Sequence, residues 1–132
     1  MILSPGCPVF RDDAGHLLET PYRTTFITSA APNAGAIAQN RPEDLPRVPE
    51  AFRRRSELVL PLAAHAGCQR VVLGAWGCGV FRNDPAMVAA TFLEHLRSDR
   101  WSGRFERVVF SVLDGSSKQK TFEAFRDAVD AE

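Results

Sequence analysis

Apolar residues along the 132-residue chain fall into blocks of two spacings that alternate from one end to the other. The run YRTTFITS at 22–29 is rich in β-branched and aromatic side chains and predicts a strand. Phe52, Val59, Leu62, Ala63 and Ala66 then recur on one face at helical spacing, with Gly67 as a helix stop and Pro61 as the site of a kink. The run RVVLGA at 70–75 is short and continuously apolar, the pattern of a strand covered on both faces. Asp84 before Pro85 reads as an N-cap and first-turn proline, and Val88, Phe92 and Leu96 repeat four residues apart beyond them. FERVVFSVL at 105–113 repeats the strand pattern. After it, Ser116 and Gln119 suit a capping box, and Phe122, Phe125 and Val129 give a last helix its apolar stripe.

The order strand, helix, strand, helix, strand, helix predicts right-handed crossovers and a largely parallel sheet with helices against its faces, an α/β fold. An extra strand is predicted around 7–10, with Asp12, Asp13 and Gly15 as turn signals leading to Tyr22. The segment 32–49 carries four prolines and few large apolar residues, which predicts a long loop. Loops of that length in compact domains are often functional. Composition changes little along the chain and no repeat is visible, so 1–132 reads as a single domain.

Apolar residues make up 45% of the chain, enough to build a core without disulfides or metal. Sixteen basic residues balance sixteen acidic ones, so no global field draws the chain to nucleic acid or to an anionic membrane. An anionic ligand must be held locally. Cys7, Cys68 and Cys78 form no CxxC pair and are odd in number, which points to reduced thiols and a cytoplasmic setting. No apolar run is long enough to span a bilayer. His16, His65 and His95 show no metal-ligand spacing with each other or with the cysteines, and neither metal nor cofactor is expected. A thiol nucleophile at Cys78 served by His65 lacks any local signature. Arg53, Arg54 and Arg55 read as the solvated face of a helix.

The stretch LGAWGCGVFRND at 73–84 sits between a predicted strand and a predicted helix. Ligands of open α/β sheets bind beyond the carboxyl ends of strands, where glycines let backbone N–H groups approach phosphates. Gly74, Gly77 and Gly79 fit that need, and they equally fit a tight turn. The stretch lacks the Lys-Ser/Thr pair of a P-loop and does not match GxGxxG, which disfavours a nucleoside triphosphatase. Trp76 and Phe81 suit stacking on a ribose or base, or ordinary core packing.

Three separated segments in this order, SPGCPVFRDD at 4–13, APNAG at 31–35 and LGAWGCGVF at 73–81, closely resemble the carboxy-terminal part of the microbial-type poly(ADP-ribose) glycohydrolase family. The resemblance runs over nearly the whole chain. It implies a three-layer macrodomain-like fold with a mostly parallel sheet, incomplete at its amino-terminal side, and ADP-ribose or poly(ADP-ribose) as the ligand. By the same resemblance, Gly77, Cys78, Gly79, Val80 and Phe81 form the loop that wraps the diphosphate, with Phe81 near the distal ribose, and Gly74, Ala75 and Trp76 belong to the ligand-binding stretch with them. Asn33 is then the side chain of the 31–35 loop best able to hydrogen-bond the ligand, and the adenine falls near 113–117.

The chain also departs from the family. A Gly-Gly-Gly stretch and a Gln-Glu-Glu motif precede the Ser-Pro segment in family members, and neither occurs here. Hydrolysis of a ribose–ribose bond needs a carboxyl group that protonates the leaving oxygen and stabilises oxocarbenium-like charge. No residue of this chain is assigned that role; Glu43, Asp44 and Glu50 match it in type only. The family sheet also places a strand from the missing segment among the strands of this part. The segments 22–29 and 70–75 must therefore pair directly, recruit another chain or remain unstable, and strand rearrangement or self-association is expected. Three functions stay open: the ligand-binding half of a glycohydrolase whose acid comes from elsewhere, a module that binds ADP-ribose without cleaving it, and a truncated inactive product.

Overall fold

The computed structural model describes residues 1–131. Its strands are β1 (Ile2–Arg11), β2 (Leu17–Thr28), β3 (Arg70–Gly74) and β4 (Arg107–Ser111). Its helices are α1 (Ala34–Asn40), α2 (Val48–Glu57), α3 (Val59–His65), α4 (Pro85–Arg97) and α5 (Lys120–Asp130), with a 3-10 turn at Pro42–Arg47. The predicted alternation of strands and helices is present. β3 and β4 pair in parallel, as a helical crossover requires, with Leu73 opposite Phe110 and Val71 opposite Val108. The extra strand around Cys7 exists and is longer than its sequence signal: β1 pairs with β2 as an antiparallel hairpin, turned at Gly15 with φ +87°.

The core lies between one face of the β3–β4 sheet and the helices. Val71 and Leu73 meet Phe52 of α2, Val59 and Ala63 of α3, Val88, Ala89 and Phe92 of α4, and Phe125 of α5. A relay of rings ties these elements together: Phe52 to Phe92 at 5.9 Å, Phe92 to Phe110 at 6.3 Å, and Phe110 to Phe125 at 5.4 Å between centroids. Each such pair adds about 0.5–1.5 kcal/mol beyond its area burial.

Several expectations are corrected. The 32–49 segment is not a bare loop, because the Asn33 side chain accepts from the Ala36 amide at 2.9 Å and starts α1. Pro42 then stands where a helical turn tolerates proline. The kink foreseen at Pro61 is a full break three residues earlier, at Leu58, between α2 and α3. Pro61 has no N–H to give the Glu57 carbonyl and its ring crowds that carbonyl, so continuous winding fails on the preceding turn. The Ser116–Gln119 capping box does not form. Asp114 replaces it: one carboxylate oxygen accepts from the Ser116 amide and hydroxyl, the other from the Thr121 amide at 2.8 Å and the Phe122 amide at 3.3 Å. These bonds pull the Asp114 carboxyl down to about 2, the Ser116 hydroxyl contributing most. On α5 only Phe125 is buried, while Phe122 and Val129 stay exposed. β3 is covered on one face rather than both, leaving Val72 71% exposed.

The largest difference concerns β2 and β3. They neither pair nor rearrange to meet; the hairpin and the parallel pair are two separate sheets. A cleft of about 550 Å³ separates them, lined by Thr24, Thr25 and Phe26 on one side and by Val71, Val72 and Leu73 on the other. Direct pairing is prevented because the end of β2 is pinned at a distance. Ile27 packs on the core, the Trp76 indole N–H donates to the Ser29 carbonyl at 3.1 Å, and Arg55 donates to the Ala30 carbonyl at 2.9 Å. Each strand thus keeps one unpaired edge facing the cleft.

Candidate functional site

The 77–83 loop leaves the carboxyl end of β3 and returns to the start of α4. Its shape follows from local chemistry. Gly77 takes φ +76°, which only glycine adopts without strain, and the Trp76 and Cys78 amides turn back onto the Gly74 and Ala75 carbonyls at 2.7 and 3.0 Å. The Arg82 amide closes onto the Gly79 carbonyl and the Asn83 amide onto the Gly77 carbonyl, both at 3.0 Å. Asp84 then caps α4 by accepting from the Ala86 amide at 3.2 Å.

These bonds leave a set of free donors. Among the described residues, the backbone amides of Gly77, Gly79, Val80 and Phe81 have no protein acceptor. Gly79, Val80 and Phe81 are consecutive, and unpaired N–H groups on successive residues of a tight loop are suited to an anion where they converge. A Cβ on Gly79 would meet nothing within 4 Å, so the space beside this part of the turn is open. Val80 is 90% exposed beside it.

The 31–35 loop forms the neighbouring wall. The Gly35 amide donates to the Phe81 carbonyl at 2.9 Å, and Asn83 Nδ2 donates to the Pro32 carbonyl at 2.9 Å. Asn83 directly precedes the Asp84 cap but carries no sequence signal of its own, because its partner is 51 residues away, which no local pattern reveals. The main clefts lie elsewhere, and none is lined by residues of the 77–81 turn.

The predicted site residues separate into groups. Gly77, Gly79, Val80 and Phe81 share the turn that carries the unpaired amides. Trp76 faces inward, its ring 5.2 Å from Phe52 and 6.1 Å from Phe92, and Gly74 and Ala75 lie with it along the cleft between β2 and β3. Asn33 sits on the opposing loop with its Oδ1 committed to capping α1, which leaves its Nδ2 as the group free to donate. Cys78 is half-buried, and burial, helped by the charge of Asp84, pushes its thiol up to about 11. A thiol so reluctant to ionise is a poor nucleophile near neutrality.

Two of the three acids that match the catalytic group in type are engaged on the surface, while Glu43 is exposed without an ion pair among the described residues. Asp44 pairs with Arg47 and Glu50 with Arg54, each at 3.0 Å. Arg53 pairs with Glu94, which holds the arginine's charge and keeps the Glu94 carboxyl below its ordinary value. No helix among the described residues is long and apolar enough to cross a membrane.

No family model matches the chain, and no curated protein does. Solved structures match it well. Poly(ADP-ribose) glycohydrolase from Deinococcus radiodurans in complex with ADP-ribose is 52% identical, with a TM-score of 0.93 over 98% of this chain and 52% of that one. The same enzyme in apo form gives a TM-score of 0.91. Poly(ADP-ribose) glycohydrolase from Thermomonospora curvata is 49% identical, with a TM-score of 0.87 over 96% of this chain and 46% of that one. The chain thus spans about half the length of these proteins. Over nearly its whole length it is similar to about half the length of the microbial poly(ADP-ribose) glycohydrolases and shares the macrodomain-like fold of that part.

Proposed function

We propose that this chain carries the diphosphate-binding part of an ADP-ribose site and, acting alone, binds ADP-ribose without cleaving it. The observation that supports this most is the cradle of four unpaired amides at Gly77, Gly79, Val80 and Phe81. A diphosphate offers acceptor oxygens that match such a row of donors, and backbone amides bind it with no requirement for net positive charge. A neutral protein can therefore select this anion. The complex of the Deinococcus radiodurans relative with ADP-ribose supports the same ligand.

Hydrolysis requires more. Cleavage of a glycosidic bond needs a carboxyl group free to protonate the leaving oxygen. Asp44 and Glu50 are paired with arginines and Asp84 caps α4, so none of these acids is free for that work. The acid of an active glycohydrolase would come from a segment outside these residues. The open edges of β2 and β3 offer that segment, or a second copy of the chain, a place to add a strand.

Calorimetric titration with ADP-ribose tests the reading. Saturable heat is expected, and it should vanish in Gly79→Trp, whose side chain fills open space in the cradle rather than clashing with the fold. No heat at millimolar ligand would remove the binding role. Release of ADP-ribose from poly(ADP-ribose) by the isolated chain at an enzyme-like rate would overturn the absence of an acid.

A further inference from the structure

We infer that Asn83 is the positioning residue of the phosphate cradle: its carboxamide clamps the 77–83 loop to the 31–35 loop and thereby sets the spread of the four free amides. The inference rests on the diphosphate reading for its purpose, and on geometry for its content. Asn83 is 3% exposed and makes contacts in two directions. Its amide closes the loop on Gly77, while its Nδ2 reaches across to Pro32. The fit leaves no slack, because a Cβ on Gly77 would lie 2.3 Å from Asn83 Nδ2 and 2.7 Å from the Ala31 Cβ.

The chemistry of the contact specifies the amide. The Pro32 carbonyl can only accept, so the group facing it must donate. The other end of the side chain, Oδ1, is buried with no partner among the described residues. An apolar filler would avoid that unsatisfied oxygen, and a side chain present only for polar pairing would satisfy both ends. What the position requires is one N–H aimed at Pro32. The second bridge between the loops, from the Gly35 amide to the Phe81 carbonyl, does not touch the Asn83 side chain and so reports on the clamp independently.

Asn83→Asp turns this into a proton-dependent test. An ionised carboxylate would face the Pro32 carbonyl oxygen with no proton to share, whereas the protonated acid regains a donor in nearly the same shape. Burial raises the pKa of such an acid, bringing its protonation within reach of mildly acidic buffer. Two quantities are measured on the full chain at pH 8 and pH 5: hydrogen-exchange protection of the Gly35 amide without ligand, and the ADP-ribose dissociation constant. In the unmodified protein both should be nearly independent of pH. In Asn83→Asp, protection should fall and affinity weaken by about tenfold at pH 8, with both recovering at pH 5. Asn83→Ala should lose both at either pH. An Asn83→Ala or Asn83→Asp protein with unchanged Gly35 protection at pH 8 overturns the inference, as does an Asn83→Asp protein whose losses persist at pH 5. Should the unmodified chain bind no ADP-ribose, the functional reading fails while Gly35 protection still decides whether Asn83 is the clamp.

Discussion

Gly77 and Asn83 are packed so closely that a single added methyl on the glycine would lie 2.3 Å from the Asn83 side-chain nitrogen. The contact joins the turn after β3 to the residue before the Asp84 cap of α4, and through Pro32 to the loop that follows β2. Two loops far apart in sequence, joined between Asn83 and Pro32 across 51 residues, therefore meet at one amide.

Gly77→Ala should be costly for two separable reasons. Alanine at φ +76° takes a conformation unfavourable by about 1–2 kcal/mol, and its Cβ must displace Asn83 or Ala31, which adds roughly 1–3 kcal/mol. Urea denaturation should show the midpoint falling by the equivalent of about 2–5 kcal/mol with an unchanged slope. A change within error would mean that the turn relaxes freely.

Acid stability should depend on Asp114. Its carboxyl lies near 2 in the folded protein, below the ordinary value of 3.8, because it accepts from Ser116 and from the first amides of α5. A depressed acid contributes stability that is complete above its unfolded pKa and disappears as pH falls through the folded one, here between about 4 and about 2. Asp114→Asn should lower the melting temperature at pH 7 and flatten its decline across that window. A variant whose melting temperature tracks the unmodified protein at every pH would show that the cap contributes nothing.

How legible the molecule is in its sequence depends on the range of each interaction. The Gly67 stop and the Asp84 cap are readable because a single residue and its neighbours suffice, and both stand as expected. Pro61 announces a disruption but not its place, since the missing hydrogen bond belongs to the preceding turn. α1 is masked by the prolines that follow it, although Asn33 ahead of an alanine-rich run is a start signal. The glycine loop is legible as a candidate, but whether it is a turn or a cradle depends on which amides are left unpaired, and that requires the closures on Gly74, Ala75, Gly77 and Gly79. The gap between β2 and β3 follows from Trp76 and Arg55 anchoring the end of β2, contacts that no periodicity encodes.

The same gap predicts association. Two unpaired strand edges facing one apolar cleft are a template for a further strand, and Phe26 at the rim is half exposed. Sedimentation should show the isolated chain associating as its concentration rises, and Phe26→Lys should shift the equilibrium toward monomer. A monomer across the whole accessible range would exclude self-association and leave the cleft to a different chain.

The cradle itself is tested most directly by amide resonances during titration with ADP-ribose. Gly77, Gly79, Val80 and Phe81 carry the free N–H groups, so their signals should move together and saturate, while those of Trp76 and Cys78, already bonded to Gly74 and Ala75, move far less. Saturating ligand that leaves those four signals in place, or shifts only residues away from the turn, would contradict the account.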